Sequence, residues 1–322
     1  MRLKLIKGKT NYNFFGKWKL WLGISSTLII LSCVSLFFQG LNYGIDFRGG
    51  TTIRTESEIT VNVSQYRQAL DVLNLGDIVI TEVFDPTFRE NQNVTQIRIE
   101  AQDGDESITA STVKSVEVAL SAVDPGIKFP LVESVGPKVS SELVKAAVWA
   151  VISAIGAVLF YIWLRFEWQF ALGAVLALVH DIILTMGIFS QVQIKFDLAI
   201  IAALLTIVGY SLNDTVVVFD RVRENLRKYK KKNLSEVLNM SINETLARTL
   251  MTSVTTLLAL ISLYVLGGDV IKGFVFAMIW GVLVGTYSSI FIAGTALLYL
   301  GVKRDWSKSS ANKGNKFGNI DA

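Results

Sequence analysis

At 322 residues, 51% hydrophobic and 18% charged, with mean hydropathy +0.46, the chain carries more apolar side chains than a soluble domain of its size can use. One cysteine, Cys33, and one histidine, His180, exclude a disulfide framework and argue against a zinc site. The net charge of +4 averages two regions of opposite sign, so it does not describe a nucleic-acid-binding surface.

The chain begins with a basic segment, 1–18, and six Lys or Arg precede Leu20 with no acid among them. Gly8-Lys9-Thr10 resembles the end of a phosphate-binding loop. That motif needs a glycine five residues earlier, where Leu3 stands, so ATP binding is not expected. An apolar block follows at 19–38. Ile30-Leu31-Ser32-Cys33 faintly suggests a lipoprotein site, but the apolar run continues past Cys33 and no A-x-A-like site closes it. The block is therefore read as a retained membrane span, with Cys33 facing lipid or a packing partner.

Residues 40–142 have a different pattern, with sixteen acidic and eight basic side chains. GTTIRTES, DIVITEVF, NVTQIRIEA and IKFPLVESV read as strands. VSQYRQALDVL and ITASTVKSVEVALSAV carry apolar residues at helical spacing, and Asp124-Pro125-Gly126 stops the second. The order is βαββαβ, a ferredoxin-like α+β arrangement with one modest core. Asp103, Asp105 and Glu106 are spaced unlike a calcium loop and read as a turn before a helix.

Five further apolar blocks follow, at 143–164, 170–191, 198–219, 249–266 and 273–300. Each is long enough to cross a hydrocarbon core of ~30 Å, and the last is long enough to tilt. The expected fold class is a polytopic α-helical membrane protein with six transmembrane helices and an external domain between the first and second. The segment 220–248 reads as a basic loop, and seven basic residues and one acid fall within 221–233. A tail, 301–322, opens with Lys303 and Arg304. The positive-inside rule places the basic segment, the basic loop and the tail in the cytoplasm and the acidic domain outside. Anionic lipid headgroups are the expected contact of the basic loop.

Charged residues inside the spans are the candidates for function, because each costs at least ~2.5–3.5 kcal/mol to insert. Asp214 lies six residues before Asp220, about 9 Å deep at 1.5 Å per residue. Asn213 precedes it and shares a narrow face with Gly209. Arg248 either snorkels to headgroups or turns inward toward Asp214; Thr249, Thr252, Ser253, Thr255 and Thr256 after it favour a protein-facing side. His180 and Asp181 are neighbours in the third span. Adjacent helical residues point apart, so at least one needs a partner elsewhere, either structural or in a proton relay. Desolvation disfavours a charged carboxylate and a nearby arginine favours it. A proton crossing the membrane releases about 2.3 kcal/mol per 100 mV, enough to bias an equilibrium more than tenfold. Gly281 and Gly285 read as a close helix contact.

Four stretches carry a resemblance: GLNYGIDFRGGT at 40–51, VESVGPKVSSEL at 132–143, VGYSLNDTVVVFDRVREN at 208–225 and TLARTLMTSVTTLLALISLYVLGG at 245–268. Together they resemble the SecF members of the SecD/SecF protein-export family, within the RND superfamily, over nearly the whole chain. The resemblance implies a non-enzymatic translocation subunit of the bacterial inner membrane, without cofactor. It implies SecD, the SecYEG channel, YajC, the translocating polypeptide and the lipid bilayer as partners, and proton flow as the energy source. It makes Asp214 and Arg248 proton-transport residues, with Asn213, His180 and Asp181 beside them. It marks Asp46, Phe47, Arg48, Gly49 and Gly50 as a signature outside the membrane, where glycines would permit a bulge or close packing. A passive translocon scaffold and an RND-type small-molecule exporter are the alternatives; one domain of ~90 residues is small for an exporter's substrate pocket.

Overall fold

The structure is a computed structural model and describes residues 10–76, 78–83, 88–89, 91–100 and 110–302. Gly8 and Lys9, the cluster of Asp103, Asp105 and Glu106, and Lys303 and Arg304 lie outside the described residues.

Helix α1 (Trp18–Phe38) leads into a four-residue helix, α2 (Ile45–Arg48), and then into the extramembrane domain. That domain contains β1 (Gly50–Ser57), α3 (Val63–Asp71), β2 (Ile78–Val83), β3 (Asn93–Glu100), α4 (Ala110–Val123) and β4 (Lys128–Val135). The expected βαββαβ element order is present. The strands lie in the order β2-β3-β1-β4 and every neighbouring pair is antiparallel. Ile53 of β1 stands opposite Ile97 of β3, and both are fully buried. With Ile78, Ile80 and Ile99 they form an apolar face covered by Tyr66 and Leu70 of α3 and Val116 and Leu120 of α4. Asn62 caps α3 by accepting the Ser64 and Gln65 N–H groups, and Asp124 follows α4 and accepts the Gly126 N–H at 3.0 Å.

Five long helices follow among the described residues: α5 (Pro137–Arg165), α6 (Trp168–Val192), α7 (Leu198–Lys228), α8 (Leu234–Leu266) and α9 (Asp269–Leu300). With α1 they make six helices long and apolar enough to cross a membrane. Helices α6 and α9 are buried along much of their length, whereas α1, α5 and α8 turn large apolar side chains outward, among them Leu31, Trp149, Trp163 and Leu258. Cys33 is on such an exposed face. Outward apolar faces are stable in lipid, where they meet other hydrocarbon. The interior contacts use small residues. A Cβ at Gly187 of α6 would come 2.1 Å from the Ser32 hydroxyl of α1, so that crossing requires glycine. One turn on, Ser35 and Ser190 share a hydrogen bond of 2.8 Å. Gly281 and Gly285 of α9 lie against Ile207 and Ser211 of α7, a close contact of the expected kind.

The stretch 220–248 is not an open loop. Helix α7 continues to Lys228 and α8 begins at Leu234. Val222 and Leu226 are buried against Val237, Leu238 and Ile242, so the two helices remain packed beyond the apolar blocks. Asn233 and Glu236 cap α8 reciprocally: Asn233 accepts the Glu236 N–H at 3.0 Å and donates to its carboxylate at 2.9 Å. The charges of this region ride on the outside of a helical hairpin.

Candidate functional site

Two carboxylates lie among the apolar helices, and side-chain hydroxyls hold both. Asp214 of α7 accepts from Thr249 of α8 at 2.6 Å on one oxygen and from Ser289 of α9 at 2.7 Å on the other. Thr249 and Ser289 are buried, while Asp214 is half-buried. Ser253 and Thr286, one turn along the same two helices, extend the polar seam with a hydrogen bond of 2.7 Å. Arg248 makes no ion pair with Asp214 among the described residues. It is exposed, and its charge acts on the carboxylate from a distance. Asn213 and Gly209 are exposed as well, and a Cβ on Gly209 would touch nothing within 4 Å. Asp214 thus has two helices on one side and an open flank of α7 on the other.

Asp181 of α6 is almost fully buried. One oxygen accepts from Ser211 of α7 at 2.7 Å and from Ser288 of α9 at 2.8 Å. The other lies 3.0 Å from His180 Nδ1. The expectation that these neighbours diverge is therefore corrected. Asp181 does find partners on other helices, but the imidazole also swings back along α6 to meet it. The ring of Tyr287, stacked at 6.1 Å, holds it there. Tyr287 in turn hydrogen-bonds Ser25 at 2.9 Å and donates to the Trp21 carbonyl, tying α1 into the network. His180 Nε2 is buried without a hydrogen-bond partner among the described residues.

The serine pair Ser288-Ser289 serves both acids, one hydroxyl each, and Ser211 and Asp214 stand one turn apart on α7. The structure brings Asp214, His180 and Asp181 into a common polar interior with hydroxyls that the sequence reading did not single out: Ser211, Tyr287, Ser288 and Ser289. The run Thr286-Tyr287-Ser288-Ser289 inside an otherwise apolar block was the available signal. A hydroxyl donates to a carboxylate and, after rotating, accepts from the protonated acid, so these partners suit both forms.

The signature residues lie at the opposite end of α7 from the basic hairpin. Asp46 accepts the Leu198 N–H, the first of α7, at 3.1 Å, and Asp197 accepts the Ile200 N–H at 3.3 Å. Burial is the main influence raising the Asp197 carboxyl above its ordinary range and the charge of Asp46 adds to it, against Lys195 and the helix N–H groups, which lower it. Phe47 stacks near Phe196 at 5.9 Å and Tyr43 at 6.1 Å. Arg48 ends α2. Gly49 and Gly50 have φ of 77° and 124°, positive values that a side chain would strain.

A helical membrane protein with an intramembrane acid network and one small α+β domain on one side defines the class. Residues 115–303 match the family described as protein export membrane protein SecD/SecF, C-terminal, and residues 34–58 match the SecD/SecF GG motif. The chain is 58% identical over 321 residues to the protein translocase subunit SecF of Cereibacter sphaeroides, covering 100% of this chain and 99% of that one. It is 43% identical to the SecF subunit of Calditerrivibrio nitroreducens over 92% of this chain and 96% of that one. The crystal structure of SecDF from Thermus thermophilus, a translocon-associated membrane protein, matches with a TM-score of 0.79 and 34% identity; 93% of this chain covers 39% of that one. The chain belongs to the SecD/SecF family of protein-export membrane proteins.

Proposed function

We propose that this chain is the SecF-type half of a SecD/SecF unit that couples proton flow across the inner membrane to the late, outer-face stage of protein export. SecD is its direct partner; the SecYEG channel, YajC and the translocating polypeptide complete the assembly. Both termini and the α7–α8 hairpin lie in the cytoplasm and the α+β domain in the periplasm, consistent with the clustering of basic residues. The chain works without ATP hydrolysis of its own.

One observation carries the reading: Asp214 is held by two hydroxyls from two different helices, not by a paired cation. An ion pair would fix the charged form, whereas hydroxyl rotors accommodate proton gain and loss. Binding and release of a proton then alter how α7 engages α8 and α9. The buried Asp181–His180 pair lies beside it, and Asn213 lines the open flank. Arg248 supplies a favourable charge without neutralising the acid by contact.

Asp214→Asn tests the reading in vesicles with an imposed gradient. The variant is expected to assemble with SecD and to lose gradient-dependent stimulation of export. Full stimulation by an assembled variant rejects proton coupling and leaves the passive scaffold.

A further inference from the structure

We infer that the Asp46–Gly50 signature is a mechanical coupler that fastens the α+β domain to the domain-side end of α7. The inference rests on Asp214 of that helix being the proton site. It assigns Asp46 as a positioning residue for the coupled process.

Several contacts make the fastening. Residues 40–44 run beside the α6–α7 connection in strand-like fashion: the Phe196 N–H donates to the Asn42 carbonyl at 2.7 Å, and the Gly44 N–H donates to the Phe196 carbonyl at 2.8 Å. Asn42 Nδ2 donates to the Gln193 carbonyl at 2.9 Å. Asp46 then crosses to the first turn of α7 and joins Asp197 there, so two carboxylates face the positive end of one helix. The rings of Tyr43, Phe47 and Phe196 fill the space beneath. Finally, Ser140 of α5 donates to the Ile45 carbonyl at 3.2 Å, so α2 is held from both neighbouring spans.

Three residues, Phe47, Arg48 and Gly49, separate Asp46 from β1. Gly49 closes α2 by donating to the Ile45 carbonyl at 2.8 Å, and at Gly50 the chain enters β1. β1 is an inner strand paired on both sides, with β3 and with β4. The link between the strand and the helix end is therefore short. On the other side, α7 is a single uninterrupted helix from Leu198 to Lys228. Asp214 lies sixteen residues along it, about 24 Å at 1.5 Å per residue. A shift of β1 therefore moves the Asp214 carboxylate relative to Thr249 and Ser289. By the same linkage, a proton-driven shift of α7 moves the domain.

The test uses the full chain reconstituted with SecD and the channel in vesicles, with export stimulation and proton uptake measured on the same preparation. Asp46→Ala is expected to abolish stimulation while leaving proton uptake intact. A covalent lock should then replace the lost contact. A Cβ at Gly44 would lie 3.3 Å from the Asp197 Cβ, near the ~3.5–4.5 Å of a disulfide. Oxidising Gly44→Cys with Asp197→Cys, in a Cys33→Ser background, is expected to restore stimulation to Asp46→Ala. Normal stimulation by Asp46→Ala, joint loss of stimulation and uptake, or no recovery in the oxidised lock each overturns the coupler. Should Asp46→Ala fail to accumulate, Asp46→Asn keeps an acceptor for the Leu198 N–H; an accumulated Asp46→Asn protein without stimulation overturns it as well. Asp214→Asn run in parallel separates the premises: normal stimulation there defeats the proton reading itself, whatever Asp46 does.

Discussion

At the residue scale, the intramembrane acids and the arginine differ in how they are satisfied. Asp214 and Asp181 each have two hydroxyl donors, while Arg248 is exposed and acts on Asp214 only through its field. Arg248→Met keeps an unbranched, flexible stem and removes the charge. Proton conductance through the reconstituted complex is expected to fall at unchanged expression; unchanged conductance would mean that the side chain serves headgroups alone. In the extramembrane domain, Tyr66 donates to Asp124 at 3.4 Å, and burial followed by that neighbouring charge pushes the phenol up to about 12. The folded domain thus holds this proton more tightly than the unfolded chain. Stability is full below pH 10 and declines as pH rises toward about 12. Hydrogen exchange of the β3 amides should report that decline, and Tyr66→Phe should remove it. The acids were legible in the sequence because charge among apolar residues is conspicuous. Of their hydroxyl partners, Thr249 stood out beside Arg248 and the serines did not. Serine and threonine are common in spans and satisfy themselves on the carbonyl four residues back, as Thr206 does on Ala202 and Thr255 on Met251. Nothing local distinguishes those from Ser211, which also faces another helix.

At the element scale, regular periodicity was readable and its exceptions were not. The strands and helices of the domain announced themselves by alternation and by helical stripes, and the six spans by length. The hairpin of α7 and α8 did not, because its charges masked a buried stripe of Val222, Leu226, Val237 and Ile242 that only packing reveals. Helix α2 has four residues, too few for any period to show. The close contact of α1 on α6 at Gly187 gives a direct test. Gly187→Ala is expected to lower stability by about 1–3 kcal/mol through overpacking. Thermal unfolding in detergent measures it. Adding Ser32→Gly should recover most of the loss but not all, since the Ser32 Cα itself stands 2.9 Å from the new methyl.

At the scale of the molecule, the account is a chain of rigid parts: an α+β domain, a signature segment anchored on α7, a helix of 31 residues, and an acid gripped by two further helices. Its central claim is that titration of Asp214 drives export. The most direct measurement compares the native chain with Asp214→Asn, each assembled with SecD and the channel, with the gradient imposed and then dissipated by a protonophore. Export by the native assembly is expected to fall on dissipation to the rate of the variant, and the variant is expected to be indifferent to the gradient. A variant that still gains from the gradient as much as the native assembly would contradict it.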